Sequence, residues 1–180
     1  MMTAEQAREL WASSEEIVSA QEVQDSLDRM AGEITEKMGN DFPLVLSVMG
    51  GAVVFTGMLL PKLQFPLEFD YIHLSRYNNK TVGGEMQWRV APRESVKDRV
   101  VLVLDDILDE GETMAAIRER IMSMGAKECQ AAVLCEKTLA KVKPMHPDFC
   151  GFHVPDRYVF GCGMDVKGYW RNLGAIRALV

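Results

Sequence analysis

The chain has 180 residues, of which 48% are hydrophobic and 26% charged, and carries a formal net charge of −6. That length supports one domain with a full core, and the composition is that of an ordinary globular protein. Neutralising nucleic-acid phosphates needs clustered Lys and Arg, so the acidic balance argues against a large nucleic-acid footprint. Binding a small anion needs only a local site and stays open.

The first ten residues carry Glu5, Arg8 and Glu9 and lack the basic-then-apolar layout of a signal peptide. The longest apolar runs, such as residues 50–60, are too short to span a bilayer. Cys129, Cys135, Cys150 and Cys162 show neither CxxC pairing nor metal-ligand spacing, which predicts reduced thiols in a cytoplasmic protein.

Residues 3–38 read as two helices. Leu10, Trp11, Ile17 and Val18 are the apolar positions of the first. Val23, Leu27, Met30, Ile34 and Met38 stand at helical spacing in the second, which Gly39-Asn40-Asp41 stops. Residues 43–49 form an apolar run that suits a buried parallel strand. Gly50-Gly51 breaks it, and residues 52–60 restart as an apolar helix ended by Pro61. Residues 67–74 read as the next strand. Residues 75–89 are polar, Gly-containing and aromatic-tipped, which predicts a long loop or loose hairpin of the kind that often serves function. Strands follow at 99–104, 130–135 and 158–161, with a helix at 112–124 ended by Gly125. This order predicts a single domain of α/β class, an open and mostly parallel sheet flanked by helices. The chain contains no internal repeat, low-complexity segment or linker.

The chemistry concentrates in residues 101–114. Four β-favouring apolar residues run into Asp105 and Asp106. Ile107-Leu108 follows, then Asp109, then the Glu110-Gly111-Glu112-Thr113 turn into a helical pattern. In open α/β sheets ligands sit beyond the carboxyl ends of the strands. A helix N-terminus there offers backbone N–H groups and its dipole to an anion. Gly111 permits close backbone approach, and Thr113 adds a hydroxyl. Backbone amides would hold a phosphate, while the carboxylates accept from sugar hydroxyls or sit near Mg²⁺, with Glu110 and Glu112 turned to solvent. The pattern therefore predicts a site for a sugar phosphate and its metal. The bland alternative is an acidic strand end before an N-capped helix.

Residues 101–114 closely resemble the signature of the type I phosphoribosyltransferases, which bind 5-phosphoribosyl 1-pyrophosphate. Met49-Gly50-Gly51 falls where that family has its pyrophosphate-contacting loop, often with a cis non-proline peptide, here Met49–Gly50. Ser75-Arg76-Tyr77 opens a stretch that resembles the flap of the family's hypoxanthine-guanine branch. Lys137-Thr138, Pro147-Asp148-Phe149, residues 151–161 and residues 165–171 resemble that branch's purine-binding hood. The resemblance covers about residues 40–175. It implies a core over about 40–135, a flap at 75–89, and a hood drawn from 1–40 and 137–180.

By the same resemblance, Asp105 and Asp106 hold the ribose hydroxyls and Asp109 sits at the purine N7 as general acid/base. Glu110, Gly111, Glu112 and Thr113 cradle the 5′-phosphate. Met49, Gly50 and Arg171 contact pyrophosphate. Lys137, Tyr158, Val159 and Asp165 meet the purine. Asp165 also binds Mg²⁺, with Asp105 and Asp106 as further candidates. Two positions depart from the family pattern: Met49 stands where some relatives carry a basic residue, and Arg76 where they often have a small or hydroxyl side chain. The implied activity is transfer of a phosphoribosyl group to a 6-oxopurine, giving IMP or GMP and pyrophosphate. Another base, such as xanthine, or a regulator that senses the activated sugar and binds nucleic acid are the alternatives. The family further implies a homodimer or homotetramer, with no nucleic-acid or membrane partner.

Overall fold

The computed structural model describes residues 2–76 and 86–180. Its frame is a six-stranded sheet. Strand β2 (Leu44–Met49) pairs in parallel with β3 (Glu68–Arg76) on one side and with β5 (Val100–Leu108) on the other. Strands β6 (Glu128–Lys137) and β7 (Phe149–Val154) extend the sheet in parallel beyond β5. Strand β4 (Met86–Val90) runs antiparallel to β3 at the other edge. The predicted α/β class and parallel sheet are borne out.

Alternation along the strands builds the two layers that cover this sheet. Val45, Leu102 and Leu104 point to one face, where they pack with Val23, Leu27, Met30 and Ile34 of α2 (Ala20–Met38) and Phe55 and Leu59 of α3 (Val53–Leu59). Leu44, Leu46, Val101 and Val103 point to the other, against Met114, Ile117 and Ile121 of α4 (Glu112–Ser123). Helix α2 starts at a capping box in which the Ser19 hydroxyl accepts from the Glu22 N–H and the Glu22 carboxylate accepts from the Ser19 N–H. Helix α1 (Ala4–Ser13) uses Thr3 and Gln6 in the same way. The family resemblance assigned residues 1–40 to the hood; α2 packs on the main sheet, while α1 lies against the C-terminal tail.

A second, small antiparallel sheet orders β1 (Glu15–Val18), β9 (Ile176–Ala178) and β8 (Val159–Phe160). It corrects the reading of a helix through Ile17 and Val18. Helix α1 stops at Ser14, and Val18 is buried in register with Ile176. The partner strand comes from the far end of the chain, so local spacing could not reveal it. Strand β7 was also absent from the sequence reading.

Strand β5 is longer than the predicted 99–104. It keeps pairing with β6 as far as Leu108 opposite Glu136, whereas its pairing with β2 ends at Ser47 opposite Leu104. Asp105 and Asp106 therefore lie within the strand, along an edge that β2 leaves open. Helix α3 ends at Leu59, just before Pro61 as expected, and Pro61 sits inside a 3-10 turn, Leu60–Lys62.

Candidate active site

Strand β2 leads to β3 on one side, and β5 leads through α4 to β6 on the other. The strand order thus reverses between β2 and β5, the crevice where open α/β sheets bind their ligands. Alternation along β5 sends its two aspartates to different places. Asp105 lines a cavity of about 100 Å³ with Glu110, Gly111, Thr113 and Met114 at the start of α4. Asp106 lines a cavity of about 260 Å³ with Asp109, Lys137, Tyr158, Val159, Met164 and Asp165. Ile107 and Asp109 form a wall common to both.

The aspartates are fixed through the backbone. Asp105 Oδ1 accepts from the Asp106 N–H at 3.0 Å, and Asp106 Oδ1 accepts from the Ile107 N–H at 2.9 Å. Burial, reinforced by the charge of Asp106, holds Asp105 well above the usual carboxylate range. Burial also raises Asp106, opposed first by the hydrogen bond with the Asp105 side chain.

The loop after β2 is packed against Asp106 with no room for a side chain. A Cβ on Gly51 would lie 2.1 Å from Asp106 Oδ2. One on Gly163, whose φ is 104°, would lie 2.0 Å from the Gly51 carbonyl oxygen. The Met49–Gly50 peptide is cis, as the resemblance implied. Helix α4 begins at buried Gly111, in the left-handed region at φ 83°, without a side-chain cap. Its first turn lines the smaller cavity, where its dipole favours an anion. Glu110 was expected to face solvent; it is half-buried and paired with Lys141.

In the larger cavity Lys137 Nζ donates to Asp109 Oδ2 at 2.9 Å. The Tyr158 hydroxyl donates to the Asp165 carbonyl oxygen at 3.1 Å, and burial raises its pKa, so the phenol stays neutral. Val159 is buried in β8. Asp165 accepts from Arg171 at 2.5 Å through Oδ1 and from the Gly168 N–H at 2.6 Å through Oδ2. Arg171 also donates to the Gly163 carbonyl oxygen. This loop leans on α1: the Tyr169 hydroxyl donates to the Met2 carbonyl and Trp170 Nε1 to the Ala7 carbonyl.

The structure brings Asp105, Asp106, Asp109, Gly111, Thr113, Lys137, Tyr158, Val159 and Asp165 around two adjoining cavities. Among the described residues Asp105, Asp106 and Asp165 do not converge into a three-carboxylate cluster. Of the flap residues, Ser75 and Arg76 close β3 opposite Gln87 and Met86, and Tyr77 lies outside the described residues. Sequence reasoning missed Ile107, Gly163 and Met164, and it named Gly51 only as part of the pyrophosphate loop, not as a neighbour of Asp106. It also missed Lys143, whose buried ammonium donates to the Lys137 carbonyl at 2.5 Å and so holds the backbone at that lysine. The second glycine of Gly50-Gly51 was a readable signal; Lys143 offered none.

The model of the phosphoribosyl transferase domain matches residues 13–167. The chain belongs to the phosphoribosyl transferase domain family. The resemblance read in residues 101–114 is thereby borne out. Among its relatives is the hypoxanthine-guanine phosphoribosyltransferase of Bacillus subtilis, 32% identical over 164 residues and covered to 91% in each chain. The hypoxanthine-guanine-xanthine phosphoribosyltransferase of Tritrichomonas foetus is 33% identical over 159 residues, covering 88% of this chain and 87% of that one. The structure of a Staphylococcus aureus hypoxanthine phosphoribosyltransferase matches with a TM-score of 0.88 at 23% identity, over 100% of this chain and 97% of that one, and shares its fold. Among the described residues of this phosphoribosyltransferase, no helix is long and apolar enough to cross a membrane.

Proposed function

We propose that this phosphoribosyltransferase serves purine salvage, transferring the 5-phosphoribosyl group from 5-phosphoribosyl 1-pyrophosphate to N9 of hypoxanthine or guanine. The products are IMP or GMP and pyrophosphate. One observation carries the reading: the Asp109–Lys137 pair, 2.9 Å apart, stands in a base-sized cavity that adjoins the α4 N-terminus. A 6-oxopurine presents O6 and N7 side by side on one edge. Lys137 donates to O6 and Asp109 handles the N7 proton, so the base replaces an internal ion pair with two matched contacts. Tyr158 stacks on the ring, and Val159 offers backbone groups to its edge.

The sugar lies across the open edge of β5, with its hydroxyls on Asp105 and Asp106. Its 5′-phosphate sits on the first turn of α4 at Glu110, Gly111, Glu112 and Thr113. Pyrophosphate meets Met49, Gly50 and Arg171. Asp109 exchanges a proton at N7 as the new C–N bond forms at N9. Of the flap that the resemblance implies at 75–89, residues 77–85 lie outside the described residues.

The donor set around the sugar is all hard oxygen, which suits Mg²⁺. Asp165, together with Asp105 or Asp106, would hold it, and when bound it neutralises charge on the leaving pyrophosphate. With no three-carboxylate cluster among the described residues, the ion would rely on substrate oxygens and water for its remaining ligands. The whole chain acts as one cytoplasmic catalytic domain in a homodimer or homotetramer, which light scattering would size.

Protein, Mg²⁺, the activated sugar and hypoxanthine should yield IMP, and guanine should yield GMP. Folded protein that makes no nucleotide with either base sinks the proposal. Xanthine is the second reading, favoured by the Tritrichomonas foetus relative, and rates with all three bases decide it.

A further inference from the structure

Glu136 is a buried carboxylate that the phosphoribosyl-transfer chemistry does not use. It precedes Lys137 on β6 and lies in register with His153 on β7. Its two oxygens have different surroundings. Oε1 is held from one side, by Lys143 Nζ at 3.3 Å and His146 Nδ1 at 2.6 Å. Oε2 faces His153 Nδ1 at 3.7 Å, longer than a hydrogen bond. The Cys150 thiol completes the group: its sulfur, a Glu136 oxygen and a His153 ring nitrogen all lie within 4.8 Å of one another. Among the described residues this is the one His/Cys/carboxylate cluster so arranged. None of the three lines either active-site cavity.

We propose that Glu136, Cys150 and His153 form a second metal site, distinct from the Mg²⁺ position and selective for a Zn²⁺-class ion. One oxygen, one nitrogen and one sulfur donor suit zinc and cobalt and do not suit Mg²⁺. Bonds of about 2.0–2.3 Å place tetrahedral donors about 3.3–3.7 Å apart, so the cluster has to tighten by about 1 Å. His153 is exposed and free to swing inward, whereas Glu136 is fixed by its partners on Oε1. Those partners act as outer-shell groups that aim the free oxygen at the ion. The Lys143 ammonium would repel a cation, but it is held on Oε1 and on the Lys137 and Leu108 carbonyls. Water fills the fourth position on the solvent side.

Without metal, burial pushes the Cys150 thiol up to about 11 and its proton is donated to the Phe152 carbonyl. Metal binding displaces that proton, so affinity rises with pH. The bound ion would tie β6 to β7 beside the purine-contacting Lys137.

Titrating chelator-stripped protein with Co²⁺ tests the site, because thiolate-bound cobalt gives a sulfur-to-metal absorption band. One equivalent should generate the band, and Zn²⁺ but not excess Mg²⁺ should bleach it. Cys150→Ser should abolish the band, and His153→Ala should weaken binding at least about tenfold, with the circular dichroism of both variants unchanged. Asp106→Asn, in the active site, should leave the band intact. Absence of the band in the wild type overturns the proposal, as does its survival in Cys150→Ser. Neither result bears on nucleotide formation, so the salvage assignment stands or falls separately.

Discussion

Gly51→Ala tests whether the loop after β2 positions Asp106, the aspartate proposed to bind the ribose. The added methyl would lie 2.1 Å from Asp106 Oδ2 and 2.6 Å from its Cγ. Such contacts do not occur below 3.0 Å, so the carboxylate must withdraw by about 1 Å, a displacement that costs on the order of 10²-fold in rate at a preorganised site. Withdrawal also strains the 2.9 Å bond that Asp106 accepts from the Ile107 N–H. The conformation of Gly51 is ordinary, since its φ is outside the left-handed region, so the effect is steric alone. Overpacking of this kind costs about 1–3 kcal/mol, or about 3–10 °C in Tm for a chain of this size. Steady-state kinetics against the activated sugar and against hypoxanthine, with a melting curve, read both effects. The loss should appear in kcat/KM for the sugar. A variant whose kcat/KM stays within about threefold of wild type would show that Asp106 does not need its present position, and the ribose assignment would fall with it.

Asp109→Asn keeps the shape of the base cavity and removes the proton acceptor. It should lower kcat by about 10²–10⁴-fold, and a loss below tenfold would take Asp109 out of proton transfer. Burial holds Asp105 well above its ordinary value of 3.8, so the folded state retains a proton that the unfolded chain has lost. Stability therefore falls as pH rises through the interval from the ordinary to the raised value. Asp105→Asn should melt higher than wild type at pH 8, with the gap closing as the pH drops towards about 4; equal melting at pH 8 refutes this. Gly32 lies inside α2 with nothing within 4 Å of its would-be Cβ. Gly32→Ala should stabilise the protein by about 0.5–1 kcal/mol, leaving kinetics unchanged, and chemical denaturation measures it.

The parts legible in the sequence are those whose signals are local. Strand β2 and its Gly-Gly break are written in adjacent residues, as is the passage from β5 through Gly111 into α4. The parts that escaped depend on distant partners. Glu15 and Glu16 are helix-friendly, and only pairing with Arg177 and Ala178 makes their segment a strand. Strand β7 is interrupted by Gly151, which reads as a breaker. The residue is there because a Cβ would lie 2.5 Å from the Leu134 carbonyl on the neighbouring strand. Among the site residues, Asp105, Asp106 and Asp109 were readable as a run. The contact of Gly51 with Asp106, or Lys143 bracing Lys137, needed the fold.

The continuation of β5 past Leu104 changes what its two aspartates can do. Like charges in a desolvated crevice repel, and the charge of Asp106 accordingly adds to burial in raising the Asp105 pKa. Because pairing with β6 continues to Leu108, the two side chains leave the strand at successive positions and line different cavities, while their carboxyl groups stay hydrogen-bonded to each other. Asp105 serves the cavity at the α4 N-terminus and Asp106 the one that holds Lys137 and Tyr158. A ligand touching both must therefore cross the strand edge that β2 leaves open. A sugar meets that requirement, with a phosphate at one end and the reacting carbon at the other. Asp109 lies on the wall between the two cavities, so the strand that carries the aspartates proposed to hold the ribose also leads to the group proposed to handle the proton.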